Sequence, residues 1–276
     1  MDTSGKEYYE YVLLWTDDCL VISLRPEFVL RKEIGKYFKL KEESIRPPKI
    51  YLGGKMRQVQ LKNRNHAWSI SSAQYVKNAI KNVEDKINKD GRRLVKRATT
   101  PFLFNYRPEV DESPEINAED PSYYQSLIGI LRWMVELGRV DICCEVSMMS
   151  TQLALPREGH LEAVLHIFSY LKSHHNTEMV FDPSDPMVDM TDFQEKDWST
   201  SVFGDELKEI IPSNIPEPRG QGMITRCFVD ADHASDTITR KSRTGFIVYV
   251  NMALIFWFSK KQTTVETSSF GSELDD

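Results

Sequence analysis

Cysteine is scarce in this 276-residue chain, with four residues at positions 19, 143, 144 and 227. Their spacings form neither a paired framework nor a zinc knuckle. That excludes a disulfide-stapled secreted scaffold and makes a reducing intracellular compartment, cytoplasm or nucleus, the expectation. Cys19, Cys143, Cys144 and Cys227 are accordingly expected as buried thiols. No apolar run reaches the length of a membrane span, and the opening Met1-Asp2-Thr3-Ser4-Gly5-Lys6 has neither the basic nor the apolar region of a secretory signal. No membrane partner is expected. An excess of basic residues is missing as well: the formal net charge is −6, the wrong sign for a chain that grips nucleic acid along its whole length.

The total conceals an asymmetry. Residues 1–107 hold 22 Lys and Arg against 12 Asp and Glu, a net of +10, and the remainder nets −16. Two halves of opposite sign suit different partners, and the basic half is the candidate for phosphate contact. Length and an apolar fraction of 41% allow one large domain or two small ones.

Along the chain, apolar runs Tyr11–Leu14 and Cys19–Ile22 flank the polar Thr16-Asp17-Asp18, the pattern of two strands around a tight acidic turn. Ser23 is placed to cap a helix with Pro26 in its first turn, and Phe28, Leu30, Ile34, Tyr37 and Phe38 recur on one helical face. Pro47-Pro48 ends that region, and Ile50-Tyr51-Leu52 reads as a strand entering a turn at Gly53-Gly54. Ser71 and Gln74 stand at capping-box spacing before a helix that carries Val76, Ile80, Val83 and Ile87 and runs to about Asn88. The basic stretch Lys86, Lys89, Arg92, Arg93, Lys96, Arg97 follows, readable as a phosphate-contacting strip or as a solvated helix end.

The segment from Arg107 to Asp120, rich in Pro, Asp and Glu, reads as a linker or surface loop. Asp120-Pro121 opens a helix with Leu127, Ile130, Leu131, Met134 and Leu137 at helical spacing. Val146, Met149 and Leu153 continue the pattern, and Pro156 starts a third helix bearing Leu161, Leu165, Phe168 and Leu171. Acidic residues and prolines predict irregular structure from Asp182 to Gly220. Three strands are expected at Cys227–Asp230, Phe246–Val250 and Ala253–Phe258, with a helix starting at Thr267-Ser268-Ser269. The fold class is α+β.

Adjacent carboxylates on a rigid hairpin turn can present oxygens to a hard cation such as magnesium, yet an Asp-Asp turn by itself is more often a plain solvated turn. Asp17 and Asp18 stay open between those roles on residue type alone. Asp232 and Asp236 read as turn residues. His160 and His166, on an apolar-faced helix with no carboxylate partner, read as packing or surface residues, and His174-His175 as a helix end whose carbonyls suit donor side chains. Trp68, Trp133 and Trp257 are expected in the core.

Taken in order, these blocks resemble the Pol polyprotein of copia-type retrotransposons. Trp15-Thr16-Asp17-Asp18, set between apolar strands, is similar to the Tyr-X-Asp-Asp turn of the reverse transcriptase, with Trp15 in place of tyrosine. Tyr51-Leu52-Gly53-Gly54 resembles the primer grip, Ser72-Ala73-Gln74-Tyr75 the start of the thumb helix, and Thr100-Pro101 the segment leaving it. Tyr124 through Gly129, Arg139-Val140-Asp141-Ile142 and His160 through Lys172 resemble the connection region. Phe228-Val229-Asp230-Ala231-Asp232, Arg240 through Phe246, Trp257 and Ser259-Lys260-Lys261-Gln262 are similar to the family's RNase H. Ser268-Ser269-Phe270-Gly271-Ser272-Glu273 stands where the family commonly shows Ser-Ser-Thr-Glu-Ala-Glu.

The resemblance implies a palm with primer grip over residues 1–62, a thumb over 63–98, a connection and acidic linker over 99–221, and the beginning of an RNase H-like sheet over 222–276. It makes Asp17, Asp18, Asp230 and Glu273 metal-binding catalytic carboxylates for Mg2+ in two-metal phosphoryl transfer. Leu52, Gly53, Gly54, Arg92, Arg93, Lys96 and Arg97 become nucleic-acid contacts. The implied partners are an RNA-DNA hybrid or primer-template and the remaining parts of a polyprotein; oligomeric state is not implied. In the family, further carboxylates lie before the Tyr-X-Asp-Asp turn and after the Glu273 helix, so both active sites are expected to be halves and the chain inactive. A non-catalytic nucleic-acid-binding module is the competing expectation, and a gene remnant without a role the third. The Asp230 strand is expected to be a sheet edge.

Overall fold

The computed structural model describes residues 5–117, 120–188, 202, 212–215 and 222–274. Two compact units divide the chain: Met1–Pro48 with Asp185–Met223, and Lys49–Ser184 with Ile224–Asp276. The architecture is mixed α and β, with three small sheets and six helices among the described residues.

In the first unit, β1 (Tyr11–Trp15) and β2 (Asp18–Ile22) form an antiparallel hairpin in the register Tyr11↔Ile22 to Trp15↔Asp18. The expected single helix after it is broken. A three-residue turn α1 (Pro26–Phe28) passes into a π-helical turn, Val29–Glu33, and a 3-10 turn, Ile34–Lys36. Ser23 caps no helix: its hydroxyl donates to Glu10 and accepts from Arg25 N, and the residue preceding α1 is Arg25. The expected apolar face is not covered either. Tyr37 is 81% exposed and Phe38 65%, and within residues 5–48 only Val29 is buried.

In the second unit, β3 (Ile50–Tyr51), β4 (Gly54–Gln60), β5 (His66–Ser71) and β6 (Met179–Phe181) make an antiparallel sheet in that order. β5 is not legible in the sequence because its buried positions are the small Ala67 and Ser69, so no apolar alternation marks it. Helix α2 (Ala73–Ile87) follows directly. The capping box at Ser71 and Gln74 does not form: Ser72 is the N-cap, Ser71 Oγ donates to Thr177 O, and Gln74 bonds Asn78 instead. Val76, Ile80, Val83 and Ile87 are buried as their spacing predicts. They pack with α3 (Asp120–Glu136), α4 (Cys143–Ser150) and α5 (Glu158–Ser173) into one core holding Leu127, Leu131, Met134, Met149, Phe168 and Leu171, all at 0% exposure. Each such side chain contributes about 1.5–3 kcal/mol of burial free energy.

Two of these helices end alike. Gly91, at φ 72°, and Gly138, at φ 95°, close Schellman turns in which Arg92 N reaches Ile87 O and Arg139 N reaches Met134 O, both at 3.0 Å. Each turn delivers an arginine directly after the helix.

The expected linker after Arg107 is a strap tied to the start of α5. Asp111 accepts from Tyr106 Oη at 2.8 Å and Ser113 N at 2.9 Å, Ser113 Oγ accepts from Gly159 N, and Glu115 bridges Arg157. Arg157 N donates to His160 Nδ1, and His160 Nε2 is 2.9 Å from Pro108 O. His160 is therefore a buried structural residue. Short polar side chains bonding backbone two residues on explain why the composition looked like a loop: they are the same groups that tie a strap.

The last sheet is antiparallel, β7 (Thr225–Asp232), β8 (Arg243–Val250) and β9 (Ala253–Lys261), with α6 (Ser269–Leu274) against β7. Trp257 donates to Val135 O at 3.2 Å and Ser147 Oγ to Ser259 O at 2.7 Å, which seats this sheet on α3 and α4. Trp68, Trp133 and Trp257 are half-buried. The thiols are not buried as expected: Cys144 and Cys227 are exposed, Cys19 and Cys143 are intermediate, and all four are free. Cys227 is exposed on β7, a strand with a neighbour on one side only among the described residues. The expected irregular stretch lies mostly outside the described residues. Among the described residues no helix is long and apolar enough to cross a membrane.

Candidate nucleic-acid interface and carboxylate pairs

Asp17 and Asp18 sit at the tip of the β1–β2 hairpin, both exposed. Thr16 precedes them at φ 48°, a conformation that a β-branched side chain rarely adopts. The turn is thus held in a strained geometry that fixes where the two carboxylates project.

The Leu52-Gly53 turn joins β3 to β4 with both residues at positive φ, 52° and 84°, as a two-residue hairpin of the primed type requires. Gly54 is buried, and a Cβ there would meet Ile70 side-chain carbons at 2.6 Å. The glycine pair is first a packing requirement of this sheet.

The four cations after α2 are not equivalent. Arg92 is bound to Glu158 at 2.8 Å. Leu94 and Ala98 are buried and Val95 N donates to Ser169 Oγ at 3.0 Å, so the segment is fastened to α5. Arg93, Lys96 and Arg97 are exposed and make no ion pair among the described residues. Three cations on a fastened backbone suit the phosphates of a nucleic-acid strand.

On the last sheet, Asp230 pairs with Gly245 and is exposed. α6 brings Glu273 to the adjacent residue, where its carboxylate accepts from Ala231 N at 3.4 Å. Asp232 Oδ1 accepts from Arg243 N. Asp236 accepts from Thr239 N and from Lys261 Nζ at 2.9 Å; although burial opposes it, these partners hold its carboxyl near about 2. Asp236 is a structural turn residue, whereas Asp232 closes strand β7.

Magnesium takes hard oxygen ligands, and Asp17, Asp18, Asp230 and Glu273 are of that kind. Among the described residues no three His, Cys, Asp or Glu side chains gather closely enough to hold an ion. The donors are right in chemistry and short in number.

Two polar networks include residues to which the sequence assigned no role of their own. Arg139, fully buried, donates to both oxygens of Asp141 at 2.8 and 2.6 Å, and Tyr170 Oη adds a third bond to Asp141 at 3.0 Å. Burial pushes the Asp141 carboxyl up, but Arg139 outweighs it and holds the group below its ordinary value. Glu178 accepts from Arg57 Nε and Ser69 Oγ, both at 2.6 Å, which lowers it to about 2. The Gly-Arg-x-Asp order after α3 is the one local cue to the first; nothing local marks the second. Both clamp the fold. A polar cleft lined by Arg107, Arg243 and Lys261 also holds Glu109, Asp232 and Asp236, so its charges are matched internally.

These features define a mixed α/β chain with carboxylates in pairs and a fastened basic segment. Homologues of the chain are Pol polyproteins of copia-type retrotransposons, similar at low identity over most of its length. The retrovirus-related Pol polyprotein from transposon TNT 1-94 of Nicotiana tabacum is 24% identical over 95% of this chain, and that from transposon RE1 of Arabidopsis thaliana is 24% identical over 95%. The chain spans 16% and 14% of their lengths. An uncharacterized mitochondrial protein of Arabidopsis thaliana is 23% identical over 95% of this chain and 88% of its own length. No protein-family model matches the chain, and no solved structure matches it significantly.

Proposed function

We propose that this chain is a retroelement Pol segment of the reverse transcriptase and RNase H type that holds an RNA-DNA hybrid or primer-template without copying or cutting it. The observation that carries the reading is the exposed trio Arg93, Lys96 and Arg97 on a backbone fastened at Leu94, Val95 and Ala98. A preordered cationic strip loses little entropy on binding and reads phosphates regardless of sequence. Support for the ancestry comes from the polyprotein relatives and from Glu273 reaching the strand that carries Asp230. In this reading residues 1–62, 63–98, 99–221 and 222–276 descend from palm, thumb, connection and RNase H, and the remaining parts of a polyprotein are the natural partner. Among the described residues the carboxylates stand in pairs rather than clusters, which supports binding without turnover, because in-line phosphoryl transfer uses two bridged metal ions.

The test measures binding of the full chain to a labelled RNA-DNA hybrid across salt concentrations, and turnover with magnesium or manganese. Weak binding is expected, and changing Arg93, Lys96 and Arg97 to alanine should lower the magnitude of the log-log salt slope by about 2–3. Salt-insensitive binding would remove the strip as the contact. Metal-dependent cleavage or primer extension abolished by Asp230→Asn or Asp17→Asn would overturn the non-catalytic reading.

A further inference from the structure

The outer edge of β7 carries information that its inner edge fixes. Asn251 N donates to Ile224 O at 2.8 Å, which turns the even-numbered residues of this strand toward β8. Ala231 N donates instead to the Glu273 side chain, which places the odd-numbered residues on the outside. Thr225, Cys227, Val229 and Ala231 therefore point their backbone N–H and C=O groups away from the sheet, as alternation in an antiparallel ladder demands. Among the described residues no strand pairs with that edge, and Cys227, Phe228, Val229 and Asp230 are all exposed.

We propose that β7 pairs with β7 of a second copy of this chain, antiparallel and about a two-fold axis at Phe228. An outward residue must face an outward residue, which leaves registers differing by two. The register centred on Phe228 sets Cys227 against the second copy's Val229, and the ladder stops short of Ala231, whose N–H is taken by Glu273. It sets Arg226 directly opposite Asp230, and the symmetry makes that pair twice. Phe228 then meets its own copy at a non-hydrogen-bonded position, where side chains approach most closely. Moving the register by two one way sets Phe228 opposite Arg226 and loses both ion pairs; moving it the other way sets Arg226 opposite Asp232 but exchanges the central aromatic contact for Phe228 against Asp230.

Charge complementarity along one strand thus suits a second copy as the occupant, and the Phe228 contact selects the register. Arg226 lies over the Tyr249 ring at 5.3 Å and donates through Nη2 to Asn251 O at 2.9 Å and Met252 Sδ at 3.7 Å, while its buried Nε has no acceptor among the described residues. Glu273 can keep its bond to Ala231 N, because the two symmetric Cys227 to Val229 pairs hold the centre of the ladder. The pairing covers Asp230, so a dimer and a metal ion compete for that carboxylate. This inference stands whether or not the chain binds nucleic acid.

The experiment is sedimentation velocity on the full chain with charge-swapped variants. The natural chain should dimerise reversibly, and Asp230→Arg or Arg226→Asp alone should weaken the dimer at least about tenfold by setting like charges opposite each other. The double variant Arg226→Asp with Asp230→Arg should restore it to within about threefold. As an independent measure, Phe228→Cys in a chain carrying Cys227→Ser should oxidise to a covalent dimer, because the paired Cα atoms would lie about 4.5 Å apart. A monomer at about 100 μM would overturn the proposal. So would a dimer indifferent to both single reversals, or failure of the Phe228→Cys cross-link in a chain that still dimerises.

Discussion

The β1–β2 hairpin and the α3 helix are built from similar side chains with opposite fates. Leu14 and Trp15 are 66% and 57% exposed, whereas Leu127, Leu131 and Met134 on α3 are at 0%. Both elements satisfy their own backbone hydrogen bonds. What separates them is a second layer: α3 packs against α2, α4 and α5, while the hairpin is a two-stranded sheet in a unit where Val29 alone is buried within residues 5–48. A two-stranded ladder is marginal in water without such a layer. An apolar run therefore specifies a strand without specifying that it will be covered.

That contrast has measurable consequences. Phe168→Ala should cost about 3–5 kcal/mol and Leu131→Ala about 2–5 by urea unfolding. Leu14→Ala should cost about 0.5 kcal/mol or less in the same assay, being a surface substitution. Equal costs would erase the distinction between the two regions. Next in size, Asp141→Ala leaves the buried Arg139 charge without its partner and should cost about 3 kcal/mol, whereas Asp17→Ala on the exposed turn should leave the melting temperature unchanged. The polar interior is then as decisive as the apolar one.

A finer comparison uses the two helix-ending glycines. A Cβ on Gly138 would stand 2.8 Å from Met179 Sδ, while around Gly91 there is open space. Both substitutions to alanine meet the cost of positive φ, about 1 kcal/mol, and Gly138→Ala should exceed Gly91→Ala by a further kilocalorie or so through displacement of Met179 on β6. The smallest effect concerns acid. Glu178 is lowered from 4.5 to about 2 by Arg57, so its contribution is fully present above the unfolded value and fades as pH falls through the folded one. The melting-temperature difference between the natural chain and Glu178→Gln should be largest above about pH 5 and close as pH approaches about 2. A difference that grows in acid would reverse the sign of the pair's role.

Much of the second unit was legible because periodicity reports burial when the buried side chains are large. Val76, Ile80, Val83, Leu127, Leu131, Phe168 and Leu171 announced their helices, and the three strands of the last sheet announced themselves in order. β5 was illegible since Ala67 and Ser69 bury almost nothing that a pattern could detect. The stretch at 106–116, read as a linker or surface loop, is irregular apart from one 3-10 turn, and what the sequence did not show is that the approach of Gly159 and His160 fastens Asp111 and Ser113. The capping box failed for a like reason, as Ser71 found Thr177, more than a hundred residues away, before it found the helix.

At the candidate sites, local chemistry alone determined that Asp17 and Asp18 share a hairpin turn, that Leu52 and Gly53 make a tight turn, and that the end of α2 is basic. These depend on neighbours within a few residues, whose steric and hydrogen-bonding preferences the sequence carries directly. Tertiary structure decided which cations are spent, for Arg92 is taken by Glu158 while Arg93, Lys96 and Arg97 make no ion pair among the described residues. It decided that Glu273 reaches the strand of Asp230, and that among the described residues β7, which carries Arg226 and Asp230, has a neighbouring strand on one side only. Those outcomes hang on which distant surfaces meet, a global minimum over packing and charge that no local pattern encodes.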